Sequence, residues 1–257
     1  MNRQEKINYY LNKTKEYVES LGHTVFVIML QGSQNYGLDD ENSDYDFKCF
    51  IIPTFDRLYN RKPISTKYDL EYGQVEVKDA QRFIGLLESM NPSYVEILFT
   101  SHYLVNPKFE SHYEMMRTIR NFLVEERIHN LSRTLTGMAN DKYKNLTKST
   151  PATKAIIEEF GYNPKELHHI ARLAMLSRTI DNDYGIDFVP YDRELLMSYK
   201  REKRPLEEVE RLCQEYIAEL EVYKKSKESI PVENGVLNQY EKLIKSAVKK
   251  NLKEELS

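Results

Sequence analysis

A chain of 257 residues, 40% of them apolar, can bury one large core or two smaller ones without covalent staples. Its 37 basic and 40 acidic residues leave a net charge of −3, so no overall basic excess marks a nucleic-acid binder, and its two cysteines, Cys49 and Cys213, stand far apart in no metal-ligand spacing. The early apolar run at residues 25–30 falls far short of the roughly 20 residues that span a bilayer, and MNRQEKINYY lacks a signal-peptide layout, so a soluble protein of a reducing cytoplasm, with no membrane partner, is expected.

Residues 4–20 are polar with Ile7, Leu11 and Val18 at helical spacing, which predicts an opening helix ended near Gly22. Residues 24–30 and 44–52 (DYDFKCFII) read as strands, the second stopped by Pro53, and the turn-rich GSQNYGLDDENS lies between them. Residues 67–72 and 75–78 predict a hairpin about Gly73-Gln74, followed by a helix capped by Asp79 and running to about Met90. Beyond Asn91-Pro92 the spacing is helical only, with helices expected near 108–146, 152–160, 164–181, 191–200, 205–228 and 235–253. Strands first and helices afterwards indicate an α+β domain over residues 1–105, a mixed sheet flanked by helices, and an all-helical domain over 106–257 that completes a cleft.

The chemistry concentrates in Leu30-Gln31-Gly32-Ser33, ten further residues, then Asp44-Tyr45-Asp46-Phe47. In a strand, residues i and i+2 share a face about 6.6 Å apart, so Asp44 and Asp46 can share a hard cation, and carboxylates with phosphate oxygens suit Mg²⁺ or Mn²⁺. Gly32 lets backbone approach a triphosphate, and Ser33 adds a hydroxyl donor. A third acid would serve two-metal chemistry. Glu76, in the alternating Val75-Glu76-Val77, is the first candidate, and Asp79 competes with it while also fitting a helix cap.

Glycine-serine, ten residues, D-x-D and a later acid between apolar residues together resemble the DNA polymerase β-type nucleotidyltransferase superfamily. Asn91-Pro92-Ser93-Tyr94-Val95-Glu96-Ile97-Leu98 is similar to the N-P-x-x-x-E-x-L segment of its RNA ligase-associated, RlaP-like family. The run from Gly161 to Leu173 resembles that family's G-Y-D-x-K-x-A-x-H-L-x-R-L-L helix, with Asn163 and Leu167 departing from the pattern and Lys165, His169 and Arg172 keeping it. The resemblance covers roughly residues 22–235 and implies a nucleotidyltransferase-type mixed sheet. It implies an enzyme that moves NMP from an NTP to an acceptor hydroxyl, an RNA end or a protein side chain, releasing pyrophosphate. A catalytically silent nucleotide sensor or interaction module is the alternative.

On a helix Lys165, His169 and Arg172 fall at i, i+4 and i+7, one face that could grip phosphates, with His169 also able to move a proton near neutral pH. His168 points about 100° away and reads as surface or packing. Residues 133–154 carry five basic side chains against Asp141, a phosphate-facing surface or an ordinary solvated helix face. Gly137-Met138-Ala139, followed by Lys142, resembles a small-residue segment of the same family and fits close helix packing equally well, and Glu96 fits an anchor for a helix or a positive side chain.

Overall fold

The computed structural model describes residues 1–40, 43–180 and 187–257, so Glu41 and Asn42 of the turn-rich segment, and Asp181 at the end of the expected 164–181 helix, lie outside the described residues. In chain order the elements are α1 (Arg3–Ser20), β1 (Thr24–Gln31), α2 (Ser33–Tyr36), β2 (Asp46–Ile52), α3 (Phe55–Tyr59), β3 (Ser65–Leu70), β4 (Gly73–Asp79), α4 (Ala80–Glu88), α5 (Pro92–Val95) and β5 (Tyr103–Val105). There follow α6 (Glu110–Thr118), α7 (Arg120–Glu126), α8 (Ile128–Lys144), α9 (Lys154–Phe160), α10 (Pro164–Ile180), α11 (Arg193–Arg201), α12 (Leu206–Lys227) and α13 (Gly235–Glu255). Among the described residues no helix is long and apolar enough to cross a membrane.

A capping box starts α1: the Asn2 side chain accepts from Glu5 N–H at 2.9 Å while the Glu5 carboxylate accepts from Asn2 N–H at 2.9 Å. Ile7, Leu11, Thr14 and Val18 form its buried stripe. That stripe covers one face of the sheet, where Ile28, Leu30, Phe47, Cys49, Ile51, Val75 and Val77 complete the core. On the opposite face Phe50 stacks on Phe83 of α4 with ring centroids 4.1 Å apart.

The sheet is mixed, in the order β3-β4-β2-β1-β5, with β2 and β4 parallel and every other pair antiparallel. This is the expected α+β class, with three local corrections. The hairpin turns at Glu71-Tyr72 rather than Gly73-Gln74, because Gly73 already pairs with Leu70. Gly73 serves close approach instead: a Cβ there would meet the Tyr45 carbonyl oxygen at 2.2 Å. Strand β5, only three residues long, falls in a region read as helical and is defined by its pairing with Val27, Ile28 and Met29. The expected 108–146 helix is broken into α6, α7 and α8.

By its internal contacts the chain divides into a unit of Met1–Glu126 with Glu233–Ser257, and a second of Arg127–Val232. The expected boundary lay near residue 105. The first unit extends further because α13 returns to pack against α4, α6 and α7, with Tyr240 donating to the Met116 carbonyl at 2.6 Å and Val236 N–H to the Glu126 carboxylate at 2.8 Å. In the second unit α8, α10 and α12 pack mutually and α11 packs on α10.

Candidate active site

The Gly32 turn and the D-x-D segment meet at one end of the sheet. Antiparallel pairing of β1 with β2 sets Gln31 opposite Asp46, so the next residue, Gly32, arrives beside the Asp46 side chain. A Cβ on Gly32 would lie 3.5 Å from Asp46 Oδ2. Its φ of 73° and ψ of −159° belong to a region that essentially only glycine occupies. The turn is held from below: Leu30 N–H donates to the His102 carbonyl at 2.9 Å, Thr100 Oγ1 donates to Asn35 Oδ1 at 2.5 Å, and Arg117 donates to the Thr100 carbonyl at 2.6 Å.

The strand begins at Asp46, with Asp44 preceding it as an exposed residue, so the two acids are not a regular i, i+2 strand pair. They remain electrostatic neighbours. Burial, and then the charge of Asp44, push the Asp46 carboxyl above its usual range, opposed by a backbone hydrogen bond from Gln74 and by the charges of Lys48 and Lys67. Two carboxylates that repel each other at an open strand end have the donor chemistry a hard divalent cation takes.

Glu76 lies on the Asp46 face of the sheet but is already engaged. Its carboxylate accepts from Lys78 Nζ at 2.6 Å and from the Tyr94 hydroxyl at 2.6 Å, and Lys48 Nζ stands 3.8 Å away. Burial raises its pKa, yet these two hydrogen bonds and the nearby lysines bring it below the usual range. Among the described residues no group of three or more His, Cys, Asp or Glu is placed to hold a metal ion, so Asp44, Asp46 and Glu76 do not form a ready three-acid centre. Asp79 points to the other face with Val75 and Val77, is buried, and accepts from Ile64 N–H at 2.5 Å. It occupies the N-cap position of α4 without making the side-chain cap bond.

Lys48, which the sequence reading passed over, sits at the centre of this face. It is buried, bonds Gln31 Oε1, and lies over the Tyr94 ring at 4.4 Å. Burial lowers its pKa, and the charges of Glu96 and Glu76 oppose that. Glu96, itself buried, adds negative charge to the surroundings of Lys48. The alternation of Asp46 and Lys48 in D-Y-D-F-K was the signal, since i and i+2 of a strand share a face.

In the second unit Lys165 is exposed on α10, with His169 and Arg172 partly buried. His169 is held well below its usual range by burial, then by the charges of Arg172, His168, Lys142 and Lys165. Burial and these cations disfavour its charged form. His168 is a packing residue, its Nδ1–H donating to the Leu196 carbonyl at 2.9 Å. The basic 133–154 stretch is largely compensated: Lys142 pairs with Glu166 at 3.3 Å, Lys144 with Asp141 at 3.0 Å and Lys154 with Glu158 at 3.9 Å. Gly137 opens on a groove of about 490 Å³ with Arg133 and Asn140 rather than on a close helix contact.

Comparison with known proteins places these features. The model of RlaP, the RNA repair pathway DNA polymerase beta family, matches residues 7–254. The chain belongs to this family. Membership in the RlaP family makes the chain a polymerase β-like nucleotidyltransferase by family. No curated protein matches. A nucleotidyltransferase-like protein from Exiguobacterium sibiricum 255-15 is a solved structure similar to this RlaP-family chain, with 12% identity and a TM-score of 0.30 over 94% of this chain and 79% of that one.

Proposed function

We propose that this chain transfers a nucleoside monophosphate from an NTP to an acceptor hydroxyl, with Asp44 and Asp46 as the groups on which the transfer depends. The observation that carries the reading is the Gly32 backbone, in a glycine-only conformation, set against the Asp46 carboxylate. The Gly32 turn offers backbone N–H groups and the Ser33 hydroxyl to the triphosphate. The acceptor hydroxyl loses its proton to solvent as its oxygen forms a bond to the α-phosphorus, the bond from that phosphorus to the bridging oxygen breaks, and pyrophosphate leaves with the electron pair. A magnesium or manganese ion held by Asp44 and Asp46 supplies charge neutralisation for the phosphate oxygens when bound. Lys48 places a fixed positive charge beside the carboxylates, and Glu76 holds Lys48 and Lys78 in position rather than serving as a ligand.

The family description favours an RNA end over a protein side chain as acceptor. The test is incubation of the purified chain with each α-labelled NTP and Mg²⁺ or Mn²⁺, with and without an RNA pool and a cell lysate. Label should pass to RNA and be lost in Asp44→Ala/Asp46→Ala. The engagement of Glu76 favours one second reading, a nucleotide sensor without chemistry. NTP binding with no pyrophosphate under any condition would establish that reading instead.

A further inference from the structure

Asp46 is placed by the strand ladder, but Asp44 precedes β2 and lies outside its pairing with β1 and β4. Its position is set through its two neighbours. Tyr45 N–H donates to the Tyr72 carbonyl at 2.7 Å, and the Ser43 carbonyl accepts from Gln34 Nε2 at 3.3 Å. Ser43 is itself held in a turn, since its N–H donates to the Asp40 carbonyl at 3.0 Å and its hydroxyl accepts from Asp40 N–H at 2.9 Å. Gln34 follows Ser33 and Ser43 precedes Asp44, so a single side chain ties the glycine-serine half of the motif to the D-x-D half. Arg3, carried by the first turn of α1, holds Gln34 in turn: its guanidinium donates to the Gln34 carbonyl and, at 3.5 Å, to Asp39.

The amide that makes this tie is unfavourable to bury. Gln34 is 4% exposed, and its Oε1 is buried with no hydrogen-bond partner among the described residues. A buried acceptor left unpaired costs more than a neutral hydrogen bond returns, whereas an apolar side chain of the same shape carries no such penalty. On stability alone a methionine would serve as well, so what glutamine adds at this position is its donor. That donor sets the distance between the turn and Asp44. We infer that Gln34 and Arg3 are positioning residues: they fix the approach of Asp44 to Asp46 and to the Gly32 turn, and with it the cation affinity of the two carboxylates. This rests on the cation role proposed for Asp44 and Asp46, and adds two residues that act on it through Ser43 rather than by touching the cation.

The test is a Mn²⁺ titration of the full chain without nucleotide, followed by electron paramagnetic resonance, with Asp44→Asn/Asp46→Asn as the blank and melting followed by circular dichroism. Gln34→Met and Arg3→Met are each expected to bind Mn²⁺ about tenfold more weakly than wild type, as the loss of one positioning hydrogen bond implies, and Arg3→Lys to recover part of that loss. Gln34→Met should melt no lower than wild type. A merely structural role would lower the Tm or the fraction of competent molecules and leave the Kd of that fraction where it was. Arg3 is exposed, so its variants carry the test even where Gln34→Met folds poorly. An unchanged Kd in Arg3→Met, or in folded Gln34→Met, overturns the inference and leaves the cation role standing. No Mn²⁺ binding by wild type overturns the cation role and the inference with it.

Discussion

Asp46 is asked to be ionised where ionisation is unfavourable. A carboxylate whose folded pKa is raised above the unfolded value of 3.8 binds its proton more tightly in the folded state, so its contribution to stability falls as pH rises through that interval and stays low at pH 7. Asp46→Asn removes the penalty. We expect a higher Tm at pH 7 together with loss of nucleotidyl transfer, read by calorimetry and label transfer; an unchanged or lower Tm would mean that the charge is compensated in the apo protein. Glu76 behaves oppositely. Its lowered pKa gives stability that is present above its unfolded value of 4.5 and lost as pH falls through the folded value. Glu76→Gln leaves the buried Lys48 poorly compensated and is expected to cost about 3 kcal/mol, while Mg²⁺ at about a hundred times its Kd should still stabilise the variant by about 2.7 kcal/mol. A magnesium shift lost in Glu76→Gln would make Glu76 a ligand after all. At this scale the approach of the Gly32 turn to Asp46 was legible, because a glycine turn and the D-x-D segment stand at a fixed spacing. The engagement of Glu76 was not, since Lys48 reaches it from β2 and Tyr94 from α5, and sequence distance hides both, whereas Lys78 stands two residues along β4.

The two motif glycines show how elements carry the site. Gly32 ends β1 in a conformation closed to other residues, and Gly73 begins β4 where the chain passes against the backbone of Tyr45, the residue between the two acids. Gly73→Ala would press a methyl group onto the Tyr45 carbonyl, with no flexible side chain to yield. The expected result is about 3 kcal/mol or more of lost stability and, because Asp46 is displaced with Tyr45, a drop in transfer larger than the stability loss explains. Chemical denaturation with rates measured under fully folded conditions separates the two, and a rate equal to wild type would show that β4 does not set the carboxylates. The long elements were legible by periodicity: α1 by its buried stripe, β1 and β2 by β-branched runs ended by Gly32 and Pro53. Strand β5 was not, because three residues carry no period, and its existence depends on β1 offering an open edge. Gly73 was read as a turn residue, since sequence cannot distinguish a glycine that turns a hairpin from one that begins a strand with a φ of 150° against a neighbouring backbone.

The first unit is discontinuous, and its last segment is the most exposed to test. Helix α13 buries Val236, Leu237, Tyr240, Ile244, Ala247 and Val248, and Lys108 Nζ bonds Asn251 at 3.0 Å and Glu254 at 2.6 Å. The larger apolar side chains each contribute about 1.5–3 kcal/mol on burial, so together they rival the roughly 5–15 kcal/mol that stabilises a whole domain. A linear reading ends the first unit once the strands end, because sequence order conceals that a helix more than a hundred residues later completes its core. A chain ending at Val232 should therefore lose amide protection throughout β1–β5 and α4–α7, and with it nucleotide-dependent activity, while α8–α12 keep theirs because their mutual packing lies within residues 127–232. Hydrogen exchange followed by mass spectrometry resolves the two sets of peptides. Retained protection in the sheet of the truncated chain would show that α1 and α4–α7 suffice to hold the site, leaving α13 as cladding.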